Sequence, residues 1–427
     1  MKTDVIHCSA LLGQSTRTVT LPGGLTVQMC RMPGFVTAYA MLTVGVGSID
    51  TGYRMRGREV PLPAGVAHYL EHKMFDLPGD RDVSAEFAAM GAGTNAFTSY
   101  DMTAYYFSCT EHFEENLQLL LDFVYTPYFT EETVEKERGI IDQEIGMNLD
   151  SPDSVVFEEL TRSLYAAHPI RNPILGTRES IREITPDTLH LIHRAFYTPA
   201  NMMLCVLGDV EPEAVAALAR ARLGTENRPT ARKLGPPEEA GPIPRSLTRK
   251  TMEVPMPTFC AAWRAAPLGR GESAIRQELA AELAAEALFG ESSELYLRLY
   301  EEGLIDSSFG GGFETLDGCA MLLCSGDSRD PLAVAEAVQA QAEKLLREGI
   351  PREDFLRMKR SSLGRRIRAL DSFDSTCFRL CAYRFSDFDY FRFPECLASL
   401  TAQEALGLLA KTCAPENRAV SIIDPKP

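Results

Sequence analysis

The sequence predicts an α+β chain of two related domains, on three observations. At 427 residues it is longer than one ordinary hydrophobic core serves. Strand-like apolar segments and amphipathic helices are interspersed along it. A stretch over 224–250, with Gly235-Pro236-Pro237, Gly241-Pro242 and Pro244 among charges, separates two halves whose elements come in a similar order. The expected division is 1–223 for the first domain, 224–250 for a linker and 251–427 for the second, the halves being products of a duplication.

In order along the chain, Thr18-Val19-Thr20, a Pro22-Gly23-Gly24 turn and Leu25 to Met29 read as a hairpin. Val36 to Val46 is mostly apolar and suits the middle of a sheet. A polar stretch from Asp50 to Pro63 leads into a helix through Gly65 to Phe75. Val83 to Met90 is a short amphipathic helix ending at Gly91, and Asn95 to Phe107 reads as one strand. His112 to Val124 and Thr130 to Met147 are helices, with Pro127 breaking the chain between them. Further helices fall at 154–166 and 186–195, and Ala200 to Gly208 is a buried strand. Beyond the linker come a strand, Thr258 to Ala265, and helices Ile275 to Phe289 and Glu294 to Glu302. Strands around Ala320 to Cys324 follow, then helices Pro331 to Arg347 and Arg352 to Leu370.

The chemistry concentrates in His68-Tyr69-Leu70-Glu71-His72. On a helix, His68 and His72 stand one turn apart on one face, a spacing at which two imidazoles grip one zinc ion. Glu71 points into the same space and can handle a water on the metal. Val66, Leu70 and Met74 recur every four residues and give this helix a separate apolar face. The order His-x-x-Glu-His is the inverzincin signature. A catalytic zinc needs a third protein ligand. Helix 130–147 offers Glu137 and Glu144, two turns apart, beside apolar positions at Val134, Ile140, Ile141 and Ile145. One carboxylate can bind the metal while the other orients a histidine or adds negative potential.

His68-x-x-Glu71-His72, with Glu137 and Glu144 about seventy residues on, resembles the pitrilysin/insulinase family of zinc metallopeptidases. Gly91-Ala92-Gly93-Thr94-Asn95-Ala96-Phe97-Thr98-Ser99 resembles its glycine-rich turn into an edge strand that pairs with substrate. Phe196-Tyr197, Pro199, Asn201-Met202 and Val206-Leu207-Gly208-Asp209-Val210 resemble the close of its first domain. Within the family the details are most similar to a bacterial branch, like mitochondrial processing peptidase, named for an association with elongation factor P modification. The resemblance implies two homologous α/β-roll domains, each a mixed, mainly antiparallel sheet flanked by helices, facing each other like a clamshell. It implies one zinc per chain on His68, His72 and Glu144. The catalytic carboxylates would be Glu71, the general base, and Glu137, a carboxylate standing behind the metal ligands. Asn95, Ala96, Phe97 and Thr98 would bind a peptide substrate by pairing it with the edge strand.

The chain departs from the family in its second half. Active members carry an Arg and a Tyr there that steady the tetrahedral oxyanion, but Tyr300 and Asp306 stand at those positions, and Asp306 would repel a developing negative charge. All seven histidines lie between His7 and His193, so the second half has no imidazole to offer a metal. The reading favoured is a zinc-bearing metalloendopeptidase subunit whose related partner, lacking the zinc motif, brings the Arg/Tyr pair. The alternative is a non-catalytic or regulatory peptide-binding subunit.

A net charge of −16 argues against a nucleic-acid partner. No apolar run reaches the length of a membrane span. Eleven cysteines without CxxC spacing, and no signal peptide after Met1-Lys2-Thr3-Asp4, point to reduced thiols in a cytoplasmic protein.

Overall fold

The computed structural model describes residues 4–9, 12–79, 81–223 and 228–427, so 224–227 at the start of the expected linker lie outside the described residues. The chain divides into two compact units. One comprises Met1–Ile145, Asn172–Leu234 and Ile367–Arg392, the other Gly146–Arg171, Gly235–Arg366 and Phe393–Pro427.

The first unit is built on a seven-stranded sheet, in the order Asp4–Ser9, Gln14–Thr20, Thr26–Arg31, Met202–Gly208, Ala38–Val44, Thr103–Cys109, Gly93–Thr98. Every neighbouring pair is antiparallel except Thr26–Arg31 with Met202–Gly208. Ala38–Val44 and Met202–Gly208 are buried at every residue, as central strands covered on both faces must be. The helix Phe373–Phe385, from late in the chain, packs on these two strands. Lys233, within the expected linker, pairs with Tyr53 and holds the buried Asp50 at 2.8 Å.

The second unit holds a five-stranded sheet, Leu247–Met252, Arg418–Pro425, Thr258–Ala265, Cys319–Asp327, Gly310–Leu316. Its order, chain sequence and strand directions repeat those of the last five strands of the first sheet, including the one parallel pair. Duplication is thus visible in topology. The helix Pro152–Leu164 packs on Arg418–Pro425 and Thr258–Ala265. One boundary between the compact units falls inside the 224–250 stretch, between Leu234 and Gly235, but it is not the only one: a helix from before that stretch belongs to the second unit, and one from after it to the first.

Several elements differ from their sequence reading. Asn95 to Phe107 is a hairpin of two strands, because Ser99 and Asp101 close a turn: the Ser99 hydroxyl donates to Asp101 at 2.8 Å and accepts from the Met102 amide at 3.2 Å. The turn makes Gly93–Thr98 the edge of the sheet. The polar stretch after Asp50 contains a small hairpin, Gly52–Met55 with Arg58–Pro61. Ile140, expected on the apolar stripe of its helix, is 46% exposed, while Val134, Ile141 and Ile145 are buried. Among the described residues, no helix is long and apolar enough to cross a membrane.

Candidate metal centre

The helix Val66–Lys73 begins at Gly65, whose φ of 84° lies in the left-handed region. A Cβ there would collide with the carbonyl oxygen of Leu175, and one at Gly176 (φ 77°) would meet Ala64 in turn, so both positions need glycine. The Ser180 hydroxyl donates to the Ala64 carbonyl at 2.8 Å, completing the seam. Val66, Leu70 and Met74 are buried in the core as their spacing requires. His68 and Glu71 are nevertheless only 7% and 8% exposed, so the polar face is enclosed too.

Two side chains of this helix fix the long helix Glu131–Leu149 beside it. The Tyr69 hydroxyl donates to the Val134 carbonyl, and the buried Lys73 ammonium donates to the Thr133 carbonyl at 3.1 Å. Both anchors sit one turn before Glu137. Lys73 also pairs with Asp76 and lies 3.9 Å from Glu137. Sequence reasoning passed over Tyr69 and Lys73, since an aromatic and a lysine next to histidines carry no distinguishing spacing.

The anchored helices bring His68, His72 and Glu144 together, with one ligand atom of each within 4.8 Å of the others. Among the described residues no other group of three such side chains does this. Glu144 Oε2 stands 3.6 Å from His68 Nε2 and 3.7 Å from His72 Nε2. Those separations are too long for good hydrogen bonds. They are close to the roughly 3.3–3.6 Å between ligand atoms that share a tetrahedral zinc at bonds of about 2.0–2.2 Å. Glu144 Oε2 is buried with no hydrogen-bond partner, an arrangement a cation between the three groups would satisfy. The donor set fits zinc.

Glu137 takes a different place. Its Oε1 accepts from His72 Nδ1 at 2.9 Å, which turns His72 Nε2 toward Glu144. Burial disfavours the charged forms of both partners. For His72 the Glu137 hydrogen bond and the charges of Glu71, Glu137 and Glu144 outweigh it and raise its pKa. For Glu137 the His72 hydrogen bond and the charges of His72 and Lys73 outweigh it and hold the carboxyl below its usual range. His68, with His72 behind it, holds Glu144 low as well, so this carboxylate is anionic.

Burial raises the Glu71 carboxyl above its usual range, partly offset by His68, the Thr98 hydroxyl and His72. The Thr98 hydroxyl donates to Glu71 Oε2 at 2.8 Å, whereas Asn95, an exposed residue on the same edge strand, uses its side-chain oxygen to accept from the Ala96 amide at 2.9 Å. Phe97 packs at a tilt against Tyr106 and Phe378, with ring centroids 6.3 and 5.7 Å away. Tyr300 and Asp306 belong to the second unit: Tyr300 is 53% exposed and stacked on Tyr296, and the Asp306 carboxylate accepts from the Ser308 amide at 2.8 Å. In that unit the helix after the second strand, Glu272–Phe289, carries no histidine, and its Glu282 is held by Arg366.

Residues 33–178 match the family described as Insulinase (Peptidase family M16), and residues 183–362 match the Peptidase M16 inactive domain. The chain is 35% identical to the uncharacterized zinc protease YmfH of Bacillus subtilis, over 95% of this chain and 96% of that protein. The solved structure of a putative M16-like peptidase from Alicyclobacillus acidocaldarius superposes with a TM-score of 0.92 at 34% identity, covering 97% of this chain and 99% of that one. Pitrilysin shares the fold at 18% identity and a TM-score of 0.79, all of this chain aligning with 46% of it. Both halves of the sequence, and not the histidine motif alone, carry these matches: the chain belongs to the pitrilysin/insulinase family, peptidase family M16.

Proposed function

We propose that this chain is a zinc metalloendopeptidase subunit that hydrolyses peptides or short unfolded precursors. The observation that carries the reading is the buried, unpartnered Glu144 Oε2 facing two Nε2 atoms at 3.6 and 3.7 Å, with the Glu71 carboxylate on the same helix face. His68, His72 and Glu144 would hold one zinc ion. Zinc there supplies the positive charge that acidifies a water at neutral pH and polarises a peptide carbonyl.

Glu71 then works as general base and acid, taking the proton of the attacking water and passing it to the leaving amine. Glu137 keeps the His72 Nδ1 proton in place, so that Nε2 is free for the metal. Gly93–Thr98 is the last strand of its sheet, with no strand on its outer side among the described residues, and there Asn95, Ala96 and Phe97 would align the peptide by backbone pairing.

A related partner subunit supplying an Arg/Tyr pair belongs to the proposal, since Tyr300 and Asp306 bring no cation to an oxyanion. The cytoplasmic placement rests on the cysteines: ten of the eleven, from Cys30 to Cys413, are buried and free.

The test compares Glu71→Gln with His68→Ala, each with the partner present and absent. Glu71→Gln should keep zinc and lose turnover by about 10²–10⁴-fold, and His68→Ala should lose both. A Glu71→Gln chain that still cleaves peptides at the native rate refutes the mechanism. Full turnover by the native chain alone refutes the split site.

A further inference from the structure

We propose that Thr98 is a positioning residue for the general base, and that its hydroxyl ties the orientation of Glu71 to the edge strand on which a peptide would pair. The inference rests on the hydrolytic reading above and deepens it. The sequence reading places Thr98 among the residues that pair a peptide with the edge strand and gives its hydroxyl no role.

The support is geometric. Thr98 is the last residue of Gly93–Thr98 and is opposite Thr103 in the adjacent strand. The chain just beyond it is held three times. The Ser99 amide donates to the Met102 carbonyl at 2.8 Å, the Ser48 amide to the Ser99 carbonyl at 3.1 Å, and the Ile49 amide to the Tyr100 carbonyl at 3.0 Å. A Cβ on Gly47 would run into Tyr100 and Asp101, so these two loops are in close contact. The backbone of Thr98 is therefore fixed, and a β-branched side chain on a fixed backbone has little χ1 freedom.

From that mount the hydroxyl donates to Glu71 Oε2 at 2.8 Å. Glu71 has three side-chain torsions of its own and stands beside two imidazoles and a second carboxylate, Glu144, toward or away from which it could swing. One hydrogen bond from a stiff donor selects a single orientation and leaves Oε1 as the oxygen that meets a proton. A peptide pairing with Gly93–Thr98 would further order the strand that carries this donor. Binding and base alignment are thereby linked through one side chain.

The experiment compares the native chain with Thr98→Val, which keeps the shape and removes the hydroxyl, and Thr98→Ser, which keeps the hydroxyl. Zinc content and thermal unfolding serve as controls for folding. Turnover of an internally quenched peptide of mixed sequence and crystal structures of the zinc-loaded chains are the readouts. Thr98→Val should lower kcat by roughly 10- to 100-fold, with KM and zinc content within about twofold of native, and Thr98→Ser should restore most of the loss. In the Thr98→Val crystals the Glu71 carboxylate should leave its native orientation while His68, His72 and Glu144 stay in place. A raised KM at unchanged kcat, or a Glu71 that holds its orientation without the hydroxyl, overturns the proposal. If the native chain with its partner cleaves nothing, the hydrolytic reading fails, and the crystallographic orientation of Glu71 decides this inference by itself.

Discussion

Replacing Glu137 by Gln tests the account where one atom pair carries two functions. Glu137 Oε1 accepts from His72 Nδ1 at 2.9 Å, and the carboxylate also lies 3.9 Å from Lys73 Nζ. Gln keeps the shape but removes the charge and brings an amide NH₂ that can turn toward Nδ1. In that rotamer His72 must accept at Nδ1 and carry its proton on Nε2, the nitrogen turned toward Glu144. A hydrogen bond to a charged group is worth about 1.5–3 kcal/mol, and removing such a support behind a metal ligand costs about 10- to 100-fold in affinity, or about 1.4–2.7 kcal/mol. The two figures agree. Lys73 keeps Asp76 and the Thr133 carbonyl as partners, so the fold should survive. Competition for zinc against a chromophoric chelator at constant pH should give a Kd about 10- to 100-fold above native. A Kd within twofold of native refutes the role assigned to Glu137.

Further predictions follow from the supports of the site. Gly65→Ala forces a left-handed φ of 84° on an L-residue and drives its Cβ into the Leu175 carbonyl, so it should cost roughly 2–4 kcal/mol in urea unfolding. A loss under 1 kcal/mol contradicts the seam described. His193 is buried at 2% exposure with Nε2 donating to the Val124 carbonyl, and burial pulls its pKa down from 6.5 to about 4. The unfolded chain therefore binds the extra proton first, and stability is lost as pH falls from about 6.5 toward 4, amounting to about 3 kcal/mol once both states are charged. His193→Gln, which can keep the donor, should flatten that part of the stability–pH curve. An unchanged slope between pH 7 and pH 4.5 counts against a neutral buried imidazole.

What was legible in the sequence follows from where each signal lives. The His68–His72 spacing and the two-turn interval from Glu137 to Glu144 are properties of single helices, so periodicity placed each set of side chains on a common face. Which carboxylate faces the Nε2 atoms is decided between helices, by Tyr69 and Lys73 gripping Val134 and Thr133, and the resemblance supplied that assignment where the residues alone did not. The Thr98–Glu71 contact was hidden for the same reason. It depends on the turn at Ser99–Met102, which splits what reads as one strand. Duplication was readable as element order, because strand sequence in the chain survives when residue identity fades. The exchange of Pro152–Leu164 and Phe373–Phe385 between the units was not, since their partners lie far away in sequence. Ile140 shows the limit of an apolar-stripe argument: next to Ile141 it cannot share the same narrow face, and it is exposed.

The most direct test of the central claim is the metal content of the chain, purified with zinc in the medium and measured by mass spectrometry beside Glu144→Gln. The account predicts one zinc per native chain and a clear loss of zinc affinity in the variant, because Glu144 Oε2 is the buried acceptor that faces both imidazoles. A native chain that binds no zinc, or a Glu144→Gln chain that binds it as tightly as native, would contradict the three-ligand site.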